Sequence, residues 1–176
     1  NITPGQSVQV LFQVLEGTSN PLLDKPDEHV SWSYLSNNQW KLFADQNISD
    51  STNQLVGSGI ISFIIPADAT LSNTLLPAGY LWVKASVNEM AEAVCKLISV
   101  DAQAAVVSFT DNGNAPDFLN NALPAETISK LKEPVAAIKK ISQPYSSFGG
   151  RAIEAPENFY IRVSERLRHK NRAIAI

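Results

Sequence analysis

A single cysteine, Cys95, excludes an intrachain disulfide framework. It also leaves little room for thiol chemistry. An activated thiolate needs a basic neighbour, and the chain has only two histidines, His29 and His169. Cys95 sits in the apolar run Val94-Cys95-Lys96-Leu97-Ile98 and reads as a small buried hydrophobe. No apolar run approaches the roughly 20 residues of a membrane-spanning helix, so no membrane partner is expected. The chain starts at Asn1 with no initiating methionine and no charged-then-apolar leader. It is therefore expected to be a piece of a longer protein, cytoplasmic at synthesis. Catalytic signatures are missing as well. There is no Gly-x-Ser-x-Gly elbow, and Val56-Gly57-Ser58-Gly59 is a turn before a strand. Phe148-Gly149-Gly150-Arg151 lacks the lysine and the spacing of a phosphate loop and reads as a hinge. His29 lies near Asp24, Asp27 and Glu28, but without the ligand spacing of a zinc or calcium site. That stretch reads as a solvated acidic loop. No catalytic residue, cofactor or metal is expected, and the chain is not expected to be an enzyme.

What remains is ample for folding. Of 176 residues, 44% are apolar and 18% charged, which suits one ordinary domain or two small ones with a real core. The charge is uneven. Residues 1–150 carry 8 lysines and arginines against 14 acidic residues, whereas residues 151–176 carry 6 against 3. An acidic body with a basic tail can engage an acidic protein surface or a nucleic acid. Glu154, Glu157 and Glu165 offset half of the tail's cations, so nucleic acid is the weaker partner and is not expected.

Residues 1–110 read as short strands. Val8, Val10, Phe12 and Val14 fall on one face of a strand, with Gln9 and Gln13 on the other. Residues 16–28 are rich in turn formers. Val30, Trp32 and Tyr34 alternate with serines, Asn37-Asn38 can turn, and Trp40, Leu42 and Phe43 return. Trp32 and Trp40 can meet either across that pair or across the sheet. Residues 45–53 read as loop. The apolar run 59–65 suggests a central strand, ended by Pro66, and further strands are expected over 79–87, 94–100 and 104–109. About seven strands in this length argue for an antiparallel β-sandwich of immunoglobulin or fibronectin type.

A polar stretch, residues 111–122, reads as a linker, so the domains are expected at 1–110 and 123–176. In the second, 127–131 reads as a short strand and 135–141 as either strand or helix, giving a small α+β segment. Its end is a helix: Pro156 suits the first turn, Glu157 the N-terminus, and Arg168, Lys170 and Arg172 the C-terminus. Phe159, Val163 and Leu167 form an apolar stripe, with Arg162 and Arg166 as like-charged neighbours beside it. An acidic partner would explain that pair. A second reading places a carbohydrate on an exposed aromatic. Trp32 and Trp82 read as core, which leaves Trp40, beside the asparagine turn, as the glycan platform.

The motif Gln143-Pro144-Tyr145-Ser146-Ser147-Phe148-Gly149-Gly150-Arg151, with Glu154 and the run FYIRVSERLRHKNRA at 159–173, resembles the baseplate J family. The match is closest to the large wedge proteins of phage-tail-like contractile injection systems. Leu123-Pro124-Ala125, Thr127-Ile128, Trp32-Ser33-Tyr34-Leu35 and Ser58-Gly59-Ile60-Ile61 share the likeness. The resemblance implies a structural role. Such wedge subunits surround a central hub, hold the machine loaded and rearrange when the sheath contracts. It implies partners among other baseplate and tail subunits, with self-association as a further option. It places the protein in an assembled particle that can be released from the cell. In the family more chain follows the helix, so the domain ending at Ile176 is expected to be cut short. The interface candidates are Tyr145, Phe148, Gly149, Gly150, Arg162, Arg166, Arg168, His169, Lys170 and Arg172.

Overall fold

The structure, a computed structural model, describes residues 2–23, 26, 28–151 and 154–169, and of His169 only the backbone. Among the described residues it contains seven strands and one α-helix: β1 (Ser7–Leu15), β2 (Ser31–Ser36), β3 (Gln39–Leu42), β4 (Ile48–Asp50), β5 (Gly59–Ile64), β6 (Val83–Ser86), β7 (Lys96–Ala102) and α1 (Pro156–His169). The strands form a four-stranded sheet, ordered β4-β5-β1-β7, and a three-stranded sheet, ordered β3-β2-β6. Every pairing is antiparallel. The fold is a β-sandwich followed by a helix. The chain forms two compact units, Asn1–Ser108 and Phe109–Ile176.

Alternation builds the core of the first unit. Phe12 from β1, Ile61 and Phe63 from β5, and Trp32 and Tyr34 from β2 are all buried. The aromatic rings interlock edge to face: Trp32 lies 5.3 Å from Phe12 and 5.1 Å from Phe63, and Tyr34 lies 5.0 Å from Phe43. Such contacts add about 0.5–1.5 kcal/mol each beyond the area they bury. Trp32 therefore does not meet Trp40. The hairpin register pairs Trp40 with Leu35, one residue out of phase with Trp32, so the two indoles project from opposite faces of the sheet. The turn itself is as the sequence suggests. Asn37 and Asn38 have φ of 46° and 66°, the pair of left-handed residues that a two-residue hairpin requires.

In this first unit three strand expectations change. Residues 45–53 are more than a loop: a 3-10 turn at Asp45–Asn47 leads into β4, which borders β5. Strand β6 is half the length expected over 79–87. Residues 104–109 form no strand, although Ala104 N–H still donates to Gln9 O at 3.1 Å. Val106 and Val107 there are largely exposed.

The turn after β4 is unusual. Asn53, Gln54 and Leu55 have φ of 50°, 57° and 62°, three non-glycine residues in the left-handed region, where each costs roughly 1–2 kcal/mol. Side chains hold them there. Asp50 accepts from Thr52 N, Thr52 Oγ1 and Gln54 N, and Thr52 Oγ1 accepts from Leu55 N at 2.8 Å. Gln54 Oε1 accepts from the backbone N–H groups of His29 and Val30. Leu55 is buried as a result.

The second unit is different in kind. The expected strand at 127–131 does not form, and residues 135–141 are neither strand nor helix. Phe109 stacks on Phe118 at 5.3 Å. None of the described residues of this unit is fully buried.

Candidate interaction surface

Residues 143–151 are held by side chains rather than by a ladder. Gln143 organises them. Its carbonyl accepts from Glu126 N at 2.8 Å, its Oε1 accepts from Ile128 N at 2.9 Å, and its Nε2 donates to Tyr145 O at 2.6 Å. Pro144 brings no N–H of its own, so the amide of Gln143 supplies the bonds that the backbone cannot. Ser147 works in the same way: its N–H donates to Leu123 O at 2.9 Å and its Oγ accepts from Leu123 N at 2.8 Å. Gln143 and Ser147 belong to the motif that carries the family likeness but are not among the interface candidates. The signal for the scaffolding part of Gln143 is a polar amide directly before a proline.

This scaffold leaves the candidate residues outward. Phe148 is 93% exposed and Tyr145 is exposed too. Gly149 has φ of 75°, a value that glycine adopts freely. Gly150 has ordinary φ, and a Cβ there would meet Leu119 O at 3.5 Å, a normal contact.

Helix α1 begins at Pro156, whose missing N–H costs nothing in the first turn. Phe159 N–H donates to Ala155 O at 3.0 Å. The apolar stripe finds little cover: Phe159 and Leu167 are exposed, as are Tyr160 and Ile161, and Val163 is half-buried. Arg162 is already engaged. Its Nε and Nη2 bind Glu154 at 2.8 and 2.7 Å, and its guanidinium lies 5.5 Å from the ring centroid of Phe159. The hydrogen bonds from Arg162 hold the Glu154 carboxyl below its usual range and raise the guanidinium in turn. Arg166 and Arg168 are exposed, and neither makes an ion pair among the described residues. Lys170 and Arg172 lie outside the described residues, as does the side chain of His169.

The other sequence candidates fall in the sandwich. Trp40 is half-buried, and the Lys84 ammonium lies 5.0 Å from its ring centroid. Trp82 is not core: it is half-buried and donates Nε1–H to Pro77 O at 3.0 Å. Its carbonyl accepts from Leu35 N at 3.1 Å, so Trp40 and Trp82 flank Leu35 in one cross-strand row. His29 is buried rather than solvated, with Nε2 at 3.2 Å from Met90 O. Asp24 and Asp27 lie outside the described residues. Cys95 is buried, and its thiol donates to Val56 O at 3.1 Å. Among the described residues no group of three or more His, Cys, Asp or Glu side chains could hold a metal ion. No helix is long and apolar enough to cross a membrane, again among the described residues.

A protein-family model described as baseplate protein PVC11-like matches residues 1–176. The chain belongs to that family, and with it to the structural baseplate proteins of contractile, phage-tail-like injection systems. No curated protein matches the chain.

Proposed function

We propose that this baseplate protein is a wedge subunit, and that residues 143–151 and α1 form the surface through which it joins other baseplate and tail subunits. One observation carries the reading: the unit Phe109–Ile176 buries none of its described residues, yet it presents Phe148, Phe159, Tyr160 and Leu167 to solvent. A segment that buries so little apolar surface gains little to offset the entropy of ordering it. Cover from a neighbouring subunit supplies what is missing, and exposed apolar patches of this kind mark such contacts. Arg166 and Arg168 give the contact its sign and select an acidic partner surface. Arg162 plays a different part. Bound to Glu154, it fixes the chain entering the helix rather than reaching outward.

In this reading the protein is made in the cytoplasm and built into the particle, which can leave the cell. The wedge holds the loaded state and rearranges on sheath contraction, and it has no enzymatic role. The test is affinity capture from cells expressing the whole particle operon. The wild-type chain is expected to recover baseplate and tail proteins, and Arg166→Glu/Arg168→Glu to lose them with the sandwich still folded. Equal recovery by both, or recovery of neither type of protein by the wild type, overturns the reading.

Trp40, only half-buried beside the asparagine turn, favours a second reading, a glycan platform. A half-open indole at a sheet surface suits stacking on a sugar ring. Trp40→Ala is expected to abolish binding on a glycan array, and an array with no wild-type signal removes this reading.

A further inference from the structure

Strand β7 is the outermost strand of the four-stranded sheet, bonded to β1 along one edge only. Its seven residues make it the longest strand at an edge of either sheet, against three in β4 and four each in β3 and β6. An open edge is a row of unpaired N–H and C=O groups. Proteins usually blunt one by shortness, by proline or by a charge in mid-strand. Strand β7 contains no proline, and its only charges are Lys96 and Asp101, towards its two ends.

The register with β1 sorts its side chains. Leu97 and Val100 lie opposite Val14 and Phe12, on the core side, while Lys96, Ser99 and Asp101 lie opposite Leu15, Gln13 and Leu11, on the outer side. The register shift between Gln13 and Val14 leaves Ile98 without a counterpart. That one extra residue makes the strand symmetric about Ile98 and Ser99. Going outward in one direction come Leu97 and then Lys96; in the other come Val100 and then Asp101. Leu97 and Val100 are each 52% exposed despite facing the core side. Neither Lys96 nor Asp101 makes an ion pair among the described residues, and Asp101 is engaged by Ser99 Oγ at 2.8 Å.

We propose that β7 pairs antiparallel with β7 of a second copy of this chain, about a two-fold axis at Ile98 and Ser99. The pairing sets each Lys96 beside the other copy's Asp101 and each Leu97 beside the other copy's Val100, on matching faces of the sheet. It joins two four-stranded sheets into one of eight and leaves no open edge between them. The contact is isologous, as a closed dimer requires. The exposed Val106 and Val107 just beyond β7 continue the apolar strip. Charge selects the occupant. The chain as a whole carries −3 and repels itself at long range, so the opposite charges at the two ends of β7 are what make a second copy fit here. The proposal is independent of the surface at α1.

Sedimentation of the purified chain over a range of concentrations tests it. A wild-type dimer is expected. Lys96→Glu and Asp101→Lys, each of which creates two like-charge contacts per dimer, are expected to weaken it about tenfold. The double variant Lys96→Glu/Asp101→Lys restores opposite charges at both contacts and is expected to return the dimer to near wild-type strength. Circular dichroism checks that each variant keeps its sheet. Amide exchange in β7 is expected to slow as wild-type concentration rises, which reads the same contact without any substitution. A wild-type monomer throughout, single reversals with no effect, or a double variant as weak as the singles overturns the proposal.

Discussion

The phenol of Tyr34 donates to Oδ1 of Asp68 at 2.8 Å, tying a buried residue of β2 to the connection that follows β5. Lys41 Nζ holds the other carboxylate oxygen at 2.6 Å. The hydrogen bond from Lys41, then that from Tyr34, holds the Asp68 carboxyl below its usual range. Burial, then the Asp68 carboxylate, raises the phenol.

Two pH limbs follow. A depressed carboxyl stabilises the fold above its unfolded pKa of about 3.9, and that contribution is lost as pH falls through the folded value. A raised phenol stabilises the fold below about pH 10, and that contribution is lost as pH rises through its folded value. Asp68→Asn is therefore expected to flatten the acid limb of Tm against pH, and Tyr34→Phe the alkaline limb. A Tm profile unchanged by Asp68→Asn would show that the carboxylate is not linked to folding.

The core centres on β5. Ile61 is fully buried and Phe63 nearly so, with Phe63 packed on Trp32 and Phe43. Ile61→Ala and Phe63→Ala are each expected to cost about 2–5 kcal/mol in denaturant unfolding. Phe148→Ala, at a side chain open to solvent, is expected to lie within about 0.5 kcal/mol of the wild type.

Gly59 opens β5 where Ser51 crosses closely. A Cβ at this position would lie 2.8 Å from both the backbone oxygen and Oγ of Ser51. Gly59→Ala forces the β4–β5 pair apart and is expected to destabilise by about 1–3 kcal/mol. Chemical shifts at Ser51 and Ile60, which are bonded to each other, are expected to move most.

Thr52 is buried and its hydroxyl bridges Asp50 and Leu55 N. Thr52→Val keeps the shape but leaves that buried N–H unpaired, at a cost of about 1–3 kcal/mol. Thr52→Ser keeps the bridge and is expected to recover most of the loss. A larger loss in Thr52→Ser than in Thr52→Val would mean that the methyl group, not the hydroxyl, holds the turn.

Several of these features were legible in the chain. The period of two over 8–14 and 30–34 identified the core faces of β1 and β2, and Asn37-Asn38 marked the hairpin turn. Proline and the i, i+4 stripe marked α1. Strand β4 was not legible, because Ile48–Asp50 is three residues long and becomes a strand only through the edge that β5 offers. Residues 104–109 failed in the opposite sense: β-branched and apolar, they find no ladder to join. The left-handed run at 53–55 gave no signal, since none of its residues is glycine, and it exists because Asp50, Thr52 and Gln54 bond it in place.

The sequence alone thus settled the class of fold, the inward residues of the main strands, the terminal helix and the likeness to baseplate proteins. The first three depend on spacing along the chain, and a helix closes its hydrogen bonds within its own four-residue neighbourhood; the likeness rests on the quoted motifs. Only the tertiary structure decided the order β4-β5-β1-β7 and the separation of Trp32 from Trp40. It also decided that Glu154 engages Arg162, and that residues 143–151 hang on Gln143 and Ser147. The reason is physical. A strand or a salt bridge takes its partner from a distant part of the chain, and only the packed fold says which partner arrives.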